Sequence, residues 1–213
     1  MPIPLLPALL VLVAALVVAL WLAWRGGSRR RSLPCPAWLS WMVDNPLSMR
    51  RTGVTLRQLA LAPGLKVLDA GCGPGRLAIP IAEAVAPLGS VLAVDIQPDM
   101  LRRARDKAAK AAVTNIEFIR AALGEGGLPE SLFDRAVLST VLGEIPDRRA
   151  ALGEIYASLK PGGFLLINEV VGDPHYQSLA KVKTLAEDVG FRPRAVYGSR
   201  LAYSIVLEKE GGA

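Results

Sequence analysis

Three glycines at alternating positions directly follow an aspartate in the stretch DAGCGPGR, residues 69–76. Gly71, Gly73 and Gly75 allow the backbone to turn tightly and to approach a ligand closely, because glycine has no Cβ. The spacing differs from the G-x-G-x-x-G fingerprint of dinucleotide-binding folds, and Asp69 stands immediately before the loop. The pattern therefore indicates a small-molecule site built from main-chain groups and a carboxylate.

A second acidic residue, Asp95, ends the apolar run SVLAVD at residues 90–95. In open α/β sheets the ligand lies outside the carboxyl ends of the strands. An acid at the end of the second strand typically accepts hydrogen bonds from the two hydroxyls of a ribose. We therefore expect Asp95 to bind a ribose.

Three further side chains are candidates for proton transfer, namely Glu144, Glu169 and His175. His175 is the single histidine, and an imidazole pKa near ~6.5 suits a general base for a phenol, thiol or ammonium group. Alternatively, His175 is a loop residue that titrates in solvent, and the two glutamates cap or brace neighbouring loops. With two cysteines and one histidine, the chain cannot close a four-ligand zinc site of the usual Cys/His kind, so no metal site is predicted.

Apolar runs that alternate with amphipathic segments must position these residues. The predicted strands cover residues 66–71, 90–95, 116–122, 133–140, 164–171, 191–198 and 201–210. The predicted helices cover residues 74–86, 98–112, 147–159 and 177–189. This alternation favours a parallel sheet covered on both faces, while the short turn between the last two strands requires an antiparallel pair. The candidate residues should then lie along one edge of a doubly wound α/β sheet.

The N-terminal segment is of a different kind. Residues 5–24 read LLPALLVLVAALVVALWLAW and carry no charge, and a helix of this length spans roughly 30 Å, the thickness of a bilayer core. We predict one transmembrane anchor over residues 1–24. A cleaved signal peptide fits less well, because a basic n-region and a small-x-small site before Arg25 are both lacking. A buried core helix is the other alternative, although such helices are rarely apolar on all faces.

The net charge of +6 comes from the stretch that follows this segment. Residues 25–57 hold seven arginines and a single acid, whereas residues 58–213 hold basic and acidic residues in equal numbers. The positive-inside rule then places the C-terminal domain in the cytoplasm of a single-pass membrane protein. A domain with balanced charge lacks the basic face of a nucleic-acid binder, so no nucleic-acid partner is predicted.

All four tryptophans lie between positions 21 and 41. Tryptophan is enriched at the membrane–water interface, where its ring is buried and its N–H finds a partner. The stretch 37–43, with Trp38 and Trp41, is therefore either a short interfacial helix or a helix packed on the domain. We assign residues 25–57 as a juxtamembrane segment.

Three motifs in order, VLDAGCGPGR, VLAVDIQPDML and LKPGGFLLI, resemble those of class I S-adenosylmethionine-dependent methyltransferases. The resemblance covers roughly residues 55–210, and the chain is similar to the branch with ubiquinone/menaquinone and phospholipid N-methyltransferases. It implies a Rossmann-like seven-stranded sheet with a C-terminal antiparallel strand pair, here preceded by one transmembrane helix. It also implies S-adenosylmethionine as cofactor and a methyltransferase domain over residues 58–213. The cofactor-binding residues that it implies are Asp69, Gly71, Gly73 and Gly75 for the methionine part, Asp95 for the ribose, Ile96 for the adenine face, and Ala122 and Thr140 as neighbours.

Two positions depart from the family pattern. The third strand of this branch usually ends with an acid that bonds the adenine amino group, but residues 120–123 read RAAL, and Glu125 is the nearest acid. In LGEIPD, Gly143 stands where relatives often have histidine. The first departure implies that adenine is bound through backbone groups. The second is expected to remove a candidate base and to open space beside the substrate.

The predicted function is a membrane-anchored S-adenosylmethionine-dependent methyltransferase that acts on a lipophilic small molecule or lipid. A phospholipid amine, a quinone precursor and a hydrophobic thiol remain open as acceptors. Residues 5–24 and the Trp/Arg segment behind them would hold the active site where an apolar substrate partitions. The alternative is a membrane-tethered module that binds the cofactor without turnover, because a fold alone does not establish activity. The oligomeric state is left open.

Overall fold

The structure, a computed structural model, describes residues 5–31, 34–36 and 46–211. The predicted interfacial stretch 37–43, with Trp38 and Trp41, lies outside the described residues. The helices are α1 (Leu5–Arg31), α2 (Pro46–Gln58), α3 (Ala78–Val85), α4 (Pro98–Lys110), α5 (Arg148–Ser158) and α6 (Leu179–Glu187). The strands are β1 (Lys66–Ala70), β2 (Ser90–Asp95), β3 (Ile116–Arg120), β4 (Phe133–Ser139), β5 (Leu159–Val170), β6 (Arg192–Ser199) and β7 (Ala202–Glu208).

The seven strands of the described chain form one sheet in the order β3-β2-β1-β4-β5-β7-β6. The pairs from β3 to β5 are parallel, and β7 runs antiparallel to both of its neighbours. Strand order reverses between β1 and β4, and ligands bind at such switch points. The predicted doubly wound α/β sheet with seven strands and a C-terminal antiparallel pair is confirmed.

Neighbouring residues of the inner strands belong to two different apolar layers. Val67 packs with residues of α3 on one face, and Leu68 packs with residues of α5 and α6 on the other. The reason is the two-residue period of a strand, which points successive side chains to opposite faces. Strands buried on both faces therefore read as continuous apolar runs, which is why β1 and β4 are recognisable in the sequence.

Two helices begin with side-chain caps. The Asp147 carboxylate accepts a hydrogen bond from Ala150 N at 2.9 Å at the start of α5. The Ser178 hydroxyl accepts one from Lys181 N at 3.4 Å at the start of α6. Each cap satisfies a backbone N–H that has no partner inside its helix. The loops that follow β4 and β5 are thus fixed at their downstream ends.

Two elements begin several residues away from their predicted starts. Helix α3 begins at Ala78 rather than at residue 74, because the glycine loop continues in turns up to that point. Strand β5 begins at Leu159 rather than at residue 164. Leu159 pairs with Phe133, and the register then shifts so that Phe164 pairs with Arg135. An irregular strand start that contains proline and glycine is not signalled by an apolar pattern.

Helix α1 stands apart from the two apolar layers. Its segment Pro7–Gly27 is long and apolar enough to cross a bilayer, and its most apolar stretch is fully exposed. A core helix of a soluble domain would be mostly buried, so α1 is not of that kind. The helix extends to Arg31, beyond the predicted end of the anchor at residue 24. Near this end it touches the domain, where Trp21 Nε1 donates to the carbonyl of Gly172 at 3.4 Å.

Candidate active site

The glycine loop after β1 is fastened to the end of β2. The backbone N–H groups of Gly71 and Cys72 both donate to the carbonyl of Val94, each at 2.8 Å. Gly71 has a φ of +76°, and an added Cβ would lie 2.6 Å from side-chain carbons of Val141. A larger residue would strain the backbone and collide with the loop after β4. Glycine is therefore required at position 71 for steric reasons.

Asp95 connects the glycine loop to the start of α4. Its Oδ2 accepts a hydrogen bond from Gly73 N at 2.9 Å, and its Oδ1 accepts one from Gln97 N at 2.8 Å. Burial raises the pKa of the Asp95 carboxyl, and these two hydrogen bonds act in the opposite direction. A carboxylate has about four acceptor positions, so acceptor capacity remains for hydroxyl donors such as those of a ribose.

The Asp69 carboxyl lies at the end of β1 and is 2% exposed. Burial raises its pKa to about 7; the Arg76 guanidinium opposes this rise, and Asp95 adds to it. Its Oδ2 has no hydrogen-bond partner among the described residues. A buried carboxylate oxygen in this state suits a cationic ligand, which would supply the missing partner.

A small cavity of about 110 Å³, which we call the loop cavity, borders these groups. It is lined by five of the predicted cofactor residues, namely Asp69, Gly71, Gly73, Asp95 and Thr140. Gly73 has a φ of +51°, and nothing in the described part of the chain lies within 4 Å of an added Cβ. Thr140 has a φ of +56°, which is uncommon for a residue other than glycine. The structure thus brings the two aspartates and the glycine loop together.

The other three predicted cofactor residues do not line the loop cavity. Gly75 is buried, and an added Cβ would lie 3.1 Å from Ala104 Cβ, so this glycine allows α4 to pack closely. Ile96 is 49% exposed, which leaves its side chain accessible to a flat ligand. Ala122 is half-buried in the loop after β3. Glu154 holds that loop, because its carboxylate accepts hydrogen bonds from the backbone N–H groups of Gly124, Gly127 and Leu128.

A larger cavity of about 450 Å³, which we call the outer cavity, adjoins the loop cavity. The two cavities share the wall residues Cys35, Arg76, Ser139, Thr140 and Asp173. The outer cavity extends to Trp21 of α1, to Val54 of α2 and to Tyr197 of β6. Its outer walls are therefore rich in apolar and aromatic side chains.

Polar side chains form the inner end of the outer cavity, where β4 and β5 end. Asn168 Nδ2 donates to Thr55 Oγ1 at 3.1 Å, and Arg76 Nη1 donates to Thr52 Oγ1 at 2.8 Å. Arg76 Nη2 also donates to Ser139 Oγ at 3.3 Å. These bonds tie α2 to the sheet edge. Asn168 Oδ1 is buried without a hydrogen-bond partner in the described chain, so an acceptor is available to a ligand.

Glu169 and Glu144 border different cavities. Glu169 is 3% exposed and lines the outer cavity. Its Oε2 accepts a hydrogen bond from Gln177 N at 3.1 Å, and its Oε1 has no hydrogen-bond partner among the described residues. Burial raises the pKa of Glu169 to about 8. Glu144 lines the loop cavity. Burial and the charge of Asp173 raise the pKa of Glu144 to about 8, although a hydrogen bond from the Cys35 backbone lowers it in part. Both carboxyls can therefore exchange a proton near neutral pH.

His175 is buried beside two acids and lines neither cavity. It is 3% exposed, and its Nδ1 lies 3.5 Å from Asp173 Oδ1 and 3.7 Å from Glu144 Oε1. Its backbone N also donates to Asp173 Oδ1 at 2.6 Å. The histidine is thus not a solvent-exposed loop residue, and its connection to the cavities runs through these carboxylates.

Gly143 does not open space beside a substrate, and that expectation is wrong. An added Cβ at this position would collide with the carbonyl oxygen of His175 and would lie 2.6 Å from the His175 Cβ. The loop after β5 therefore occupies the volume that a side chain would take. The glycine lets this loop pass directly against the turn after β4.

The sequence interpretation missed three residues that shape the site. Arg76 directly follows the last glycine of the loop, and Asn168 directly precedes Glu169. Both residues could therefore have been found from their positions beside motif residues. Cys35 borders both cavities, and its carbonyl accepts a hydrogen bond from Gln97 Nε2 at 2.9 Å. No local pattern signals this contact, because it joins positions 62 residues apart.

Comparisons with known proteins show the family of this chain. A family model described as a methyltransferase domain matches residues 61–203. The demethylmenaquinone methyltransferase of Listeria monocytogenes is 34% identical over 111 residues, which are 52% of this chain and 47% of that protein. The ubiquinone/menaquinone biosynthesis C-methyltransferase of Vibrio vulnificus is 35% identical over 121 residues, 56% of this chain and 46% of that protein. The chain therefore matches about half the length of these curated relatives.

A solved structure shows the same fold. An S-adenosylmethionine-dependent methyltransferase from Aquifex aeolicus has a TM-score of 0.76 at 21% identity, over 83% of this chain and 100% of that one. The residues present fit S-adenosylmethionine. The buried Asp69 carboxyl can bind a cation, Asp95 can accept hydrogen bonds, and the glycine loop beside them leaves room for a ligand. The chain belongs to the methyltransferase domain family, with the fold and the cofactor loop of a class I S-adenosylmethionine-dependent methyltransferase.

Proposed function

We propose that this chain is a methyltransferase that uses S-adenosylmethionine, is anchored in a membrane and acts on a lipophilic small molecule or lipid. The observation that carries the proposal is the arrangement of the two cavities. The loop cavity borders the glycine loop, and the adjoining outer cavity extends to Trp21 near the end of α1. A cofactor in the first cavity and a substrate in the second would meet at their shared wall.

Residues of the loop cavity would hold the cofactor through charge and hydrogen bonds. When bound, S-adenosylmethionine supplies an electrophilic methyl group, whose bond to sulfur breaks as its bond to the acceptor atom forms. Asp69 would face the cationic part of the ligand, because its Oδ2 lacks a partner among the described residues. Asp95 would accept hydrogen bonds from the ribose while it stays bonded to Gly73 N. Holding both reactants in line then supplies much of the rate acceleration.

Glu169 would accept the proton that the acceptor loses. It lines the outer cavity with a buried oxygen that no described residue bonds, and a pKa of about 8 makes it a stronger base than an exposed glutamate. Glu144 borders the loop cavity, and His175 borders neither. In this proposal His175 acts on the reaction through Asp173, which lines both cavities, and Glu144 acts from the loop cavity.

Helix α1 would cross the membrane and bring the outer cavity to its surface. No residue in the most apolar stretch of the segment Pro7–Gly27 is buried, and a helix of this length spans about 30 Å. Trp21 and Arg25 donate hydrogen bonds to the carbonyls of Gly172 and Val171, and both are residue types that prefer the membrane–water interface. A cleaved leader would lose these contacts. The arginines that follow favour a cytoplasmic domain by the positive-inside rule.

Three substrate classes fit the outer cavity: a quinone precursor, a phospholipid amine and a hydrophobic thiol. Its volume of about 450 Å³ is that of a drug-sized ligand site, so a long tail would extend past Trp21 towards the membrane. The names of the two relatives refer to demethylmenaquinone and to ubiquinone/menaquinone biosynthesis. Among the three classes, this supports a quinone precursor.

The cofactor assignment is tested by calorimetric titration with S-adenosylhomocysteine. Asp95→Ala should weaken binding by about 1–3 kcal/mol for each charged hydrogen bond lost. Gly73→Val should also weaken it, because the new side chain would enter the loop cavity. Asp99→Ala is the matched control, since Asp99 is an exposed acid of α4 that pairs with Arg102. Unchanged affinity in both test variants would overturn the assignment.

The substrate class is tested by mass spectrometry of lipid extracts from cells with and without the chain. Species that carry one additional methyl group should appear with the wild-type chain and should be much less abundant with Asp95→Ala. If the purified chain binds the cofactor but methylates none of the three substrate classes, the alternative of a binding module without turnover replaces the proposal.

A further inference from the structure

We infer that the tip of the β6–β7 hairpin is a second membrane contact, beside α1 and at the mouth of the outer cavity. The inference rests on the proposed function, because it takes α1 to lie in the bilayer. The hairpin tip comprises residues 196–201 and exposes three apolar or aromatic side chains: Val196 at 49%, Tyr197 at 47% and Leu201 at 66%. Apolar side chains grouped at a surface in this way mark contacts with proteins or membranes.

Hydrogen bonds fix the position of the hairpin tip relative to α1. Arg25 Nη1 donates to the carbonyl of Val171 at 3.2 Å, and Val171 N donates to the carbonyl of Leu201 at 2.8 Å. A single residue of the loop after β5 thus joins α1 to the hairpin tip. Trp21 makes a neighbouring contact with the carbonyl of Gly172. The hairpin tip therefore lies close to Trp21 and Arg25, which the anchor would place at the membrane–water boundary.

The hairpin tip has the composition of an interfacial segment. Tyr197 combines an apolar ring with a hydroxyl, Leu201 is purely apolar, and the exposed Arg200 between them carries a positive charge that suits anionic headgroups. The tip is also held in place, because the Tyr176 hydroxyl donates to the carbonyl of Arg200 at 2.9 Å. It can therefore present Leu201 to lipid without rearrangement.

The continuity between α1 and the hairpin tip identifies the partner as the bilayer surface. Trp21 lines the outer cavity from α1, and Tyr197 and Gly198 line it from the hairpin. The mouth of the cavity is thus bracketed by two membrane contacts. A lipophilic substrate would enter between Trp21 and Tyr197 and reach Glu169 without crossing bulk water.

The test uses the full chain with a single labelled cysteine in vesicles of three parts phosphatidylcholine and one part phosphatidylglycerol. An environment-sensitive fluorophore is attached to Leu201→Cys, to Leu16→Cys on α1 and to Leu88→Cys, each in a Cys35→Ser background. Leu88 is 85% exposed next to the start of β2, at the opposite edge of the sheet, and is the matched control. Cys72 is 5% exposed and burial raises its thiol pKa, so it should label slowly.

Nitroxide lipids distinguish the outcomes. A nitroxide near the headgroup should quench the label at position 201 several-fold more than the label at position 88. A nitroxide in mid-chain should quench the label at position 16. If position 16 is quenched and position 201 behaves like position 88, the hairpin contact is overturned and the anchor stands. If position 16 is not quenched, the membrane part of the proposed function fails, and the hairpin inference fails with it.

Discussion

Buried carboxyls line both cavities. Burial is the main cause that raises the pKa of Asp69 to about 7 and the pKa values of Glu144 and Glu169 to about 8. A carboxyl in such a place binds a proton when no cation is near and is ionised when a cation approaches. A sulfonium cofactor and an acceptor that releases a proton are both suited to these side chains.

Cofactor binding should depend on pH through Asp69. With a pKa of about 7, its carboxyl is mostly protonated near pH ~6 and mostly ionised near pH ~8. S-adenosylmethionine carries a sulfonium that S-adenosylhomocysteine lacks, so the ratio of their affinities should shift towards S-adenosylmethionine over this range, by up to ~10-fold. Calorimetric titrations of both ligands measure this ratio. Asp69→Asn should make the ratio independent of pH, and a constant ratio in the wild-type protein contradicts the prediction.

The proton-accepting role of Glu169 should appear in the pH profile of turnover. A base acts in its ionised form, so kcat should rise with pH through about 8 and level off above it. Glu169→Gln should lower kcat by about 10²–10⁴-fold and remove this rise, with cofactor affinity unchanged. The measurement is a steady-state pH profile with the acceptor found in the lipid extracts.

Two comparison variants separate Glu169 from the other candidate bases. Glu144→Gln should change cofactor affinity more than kcat, because Glu144 lines the loop cavity. His175→Ala should lower kcat less than Glu169→Gln, since His175 lines neither cavity and acts through Asp173. A full loss of kcat in His175→Ala, with normal turnover in Glu169→Gln, would assign the base to His175. Normal turnover in every variant would indicate an acceptor, such as a neutral amine, that needs no base.

At the scale of elements, a short stretch between α1 and α2 borders the site. Residues 34–36, which we call the strap, place Cys35 in the walls of both cavities. The strap is held by the hydrogen bond from Gln97 Nε2 to the Cys35 carbonyl and by the bond from the Cys35 backbone to the Glu144 carboxylate. Because Gln97 follows β2 and Glu144 follows β4, the strap connects the two sides of the cofactor loop.

Release of the strap should speed cofactor exchange. Gln97→Ala removes one hydrogen bond of about 1 kcal/mol, which corresponds to roughly fivefold in a rate limited by strap opening. Stopped-flow release of S-adenosylhomocysteine measures this rate. Arg102→Ala, at an exposed position of α4, the helix that begins directly after Gln97, is the control and should release the ligand at the wild-type rate. An unchanged rate in Gln97→Ala would show that the strap does not limit exchange.

The strands and the cofactor loop could be predicted from the sequence because their causes are local. Strand β2 begins and ends at the predicted residues, since a strand buried on both faces is a continuous apolar run. The contact of Cys35 with Gln97 and the passage of His175 against Gly143 could not be predicted. Both depend on how distant loops pack once the sheet has formed. The burial of His175 follows from the same packing, which no pattern near position 175 contains.

At the scale of the whole molecule, the contact with α1, both cavities and the hairpin tip lie at one edge of the sheet. The carboxyl ends of β1, β2, β4 and β5 carry the site, and the loop after β5 also touches α1. The opposite edge carries Leu88 and the turns that enter the strands. With α1 in a bilayer, as proposed, this arrangement would hold the reaction site against the membrane and leave the rest of the domain in water.

Removal of the anchor should separate cofactor binding from access to substrate. Deletion of residues 1–31 leaves the sheet and both apolar layers intact, so the domain should remain folded. Affinity for S-adenosylhomocysteine should stay the same, because the loop cavity is lined by residues from Cys35 onward. Methylation of a substrate in vesicles should fall sharply, because the domain is no longer held at the membrane. Methylation of the same substrate in detergent should fall less, and this smaller loss comes from the removal of Trp21 from the outer cavity.

A chimera distinguishes a tether from a structural element. If residues 7–20 are replaced by an unrelated apolar helix that keeps Trp21 and Arg25, activity on vesicles should return to the wild-type level, because the contacts with Gly172 and Val171 are retained. Trp21→Ala in the full chain should lower activity on vesicles and in detergent alike, since it alters the cavity wall without releasing the domain from the membrane. A truncated domain that is insoluble and unfolded by circular dichroism would instead make α1 a part of the fold, and its role as a separable anchor would be wrong.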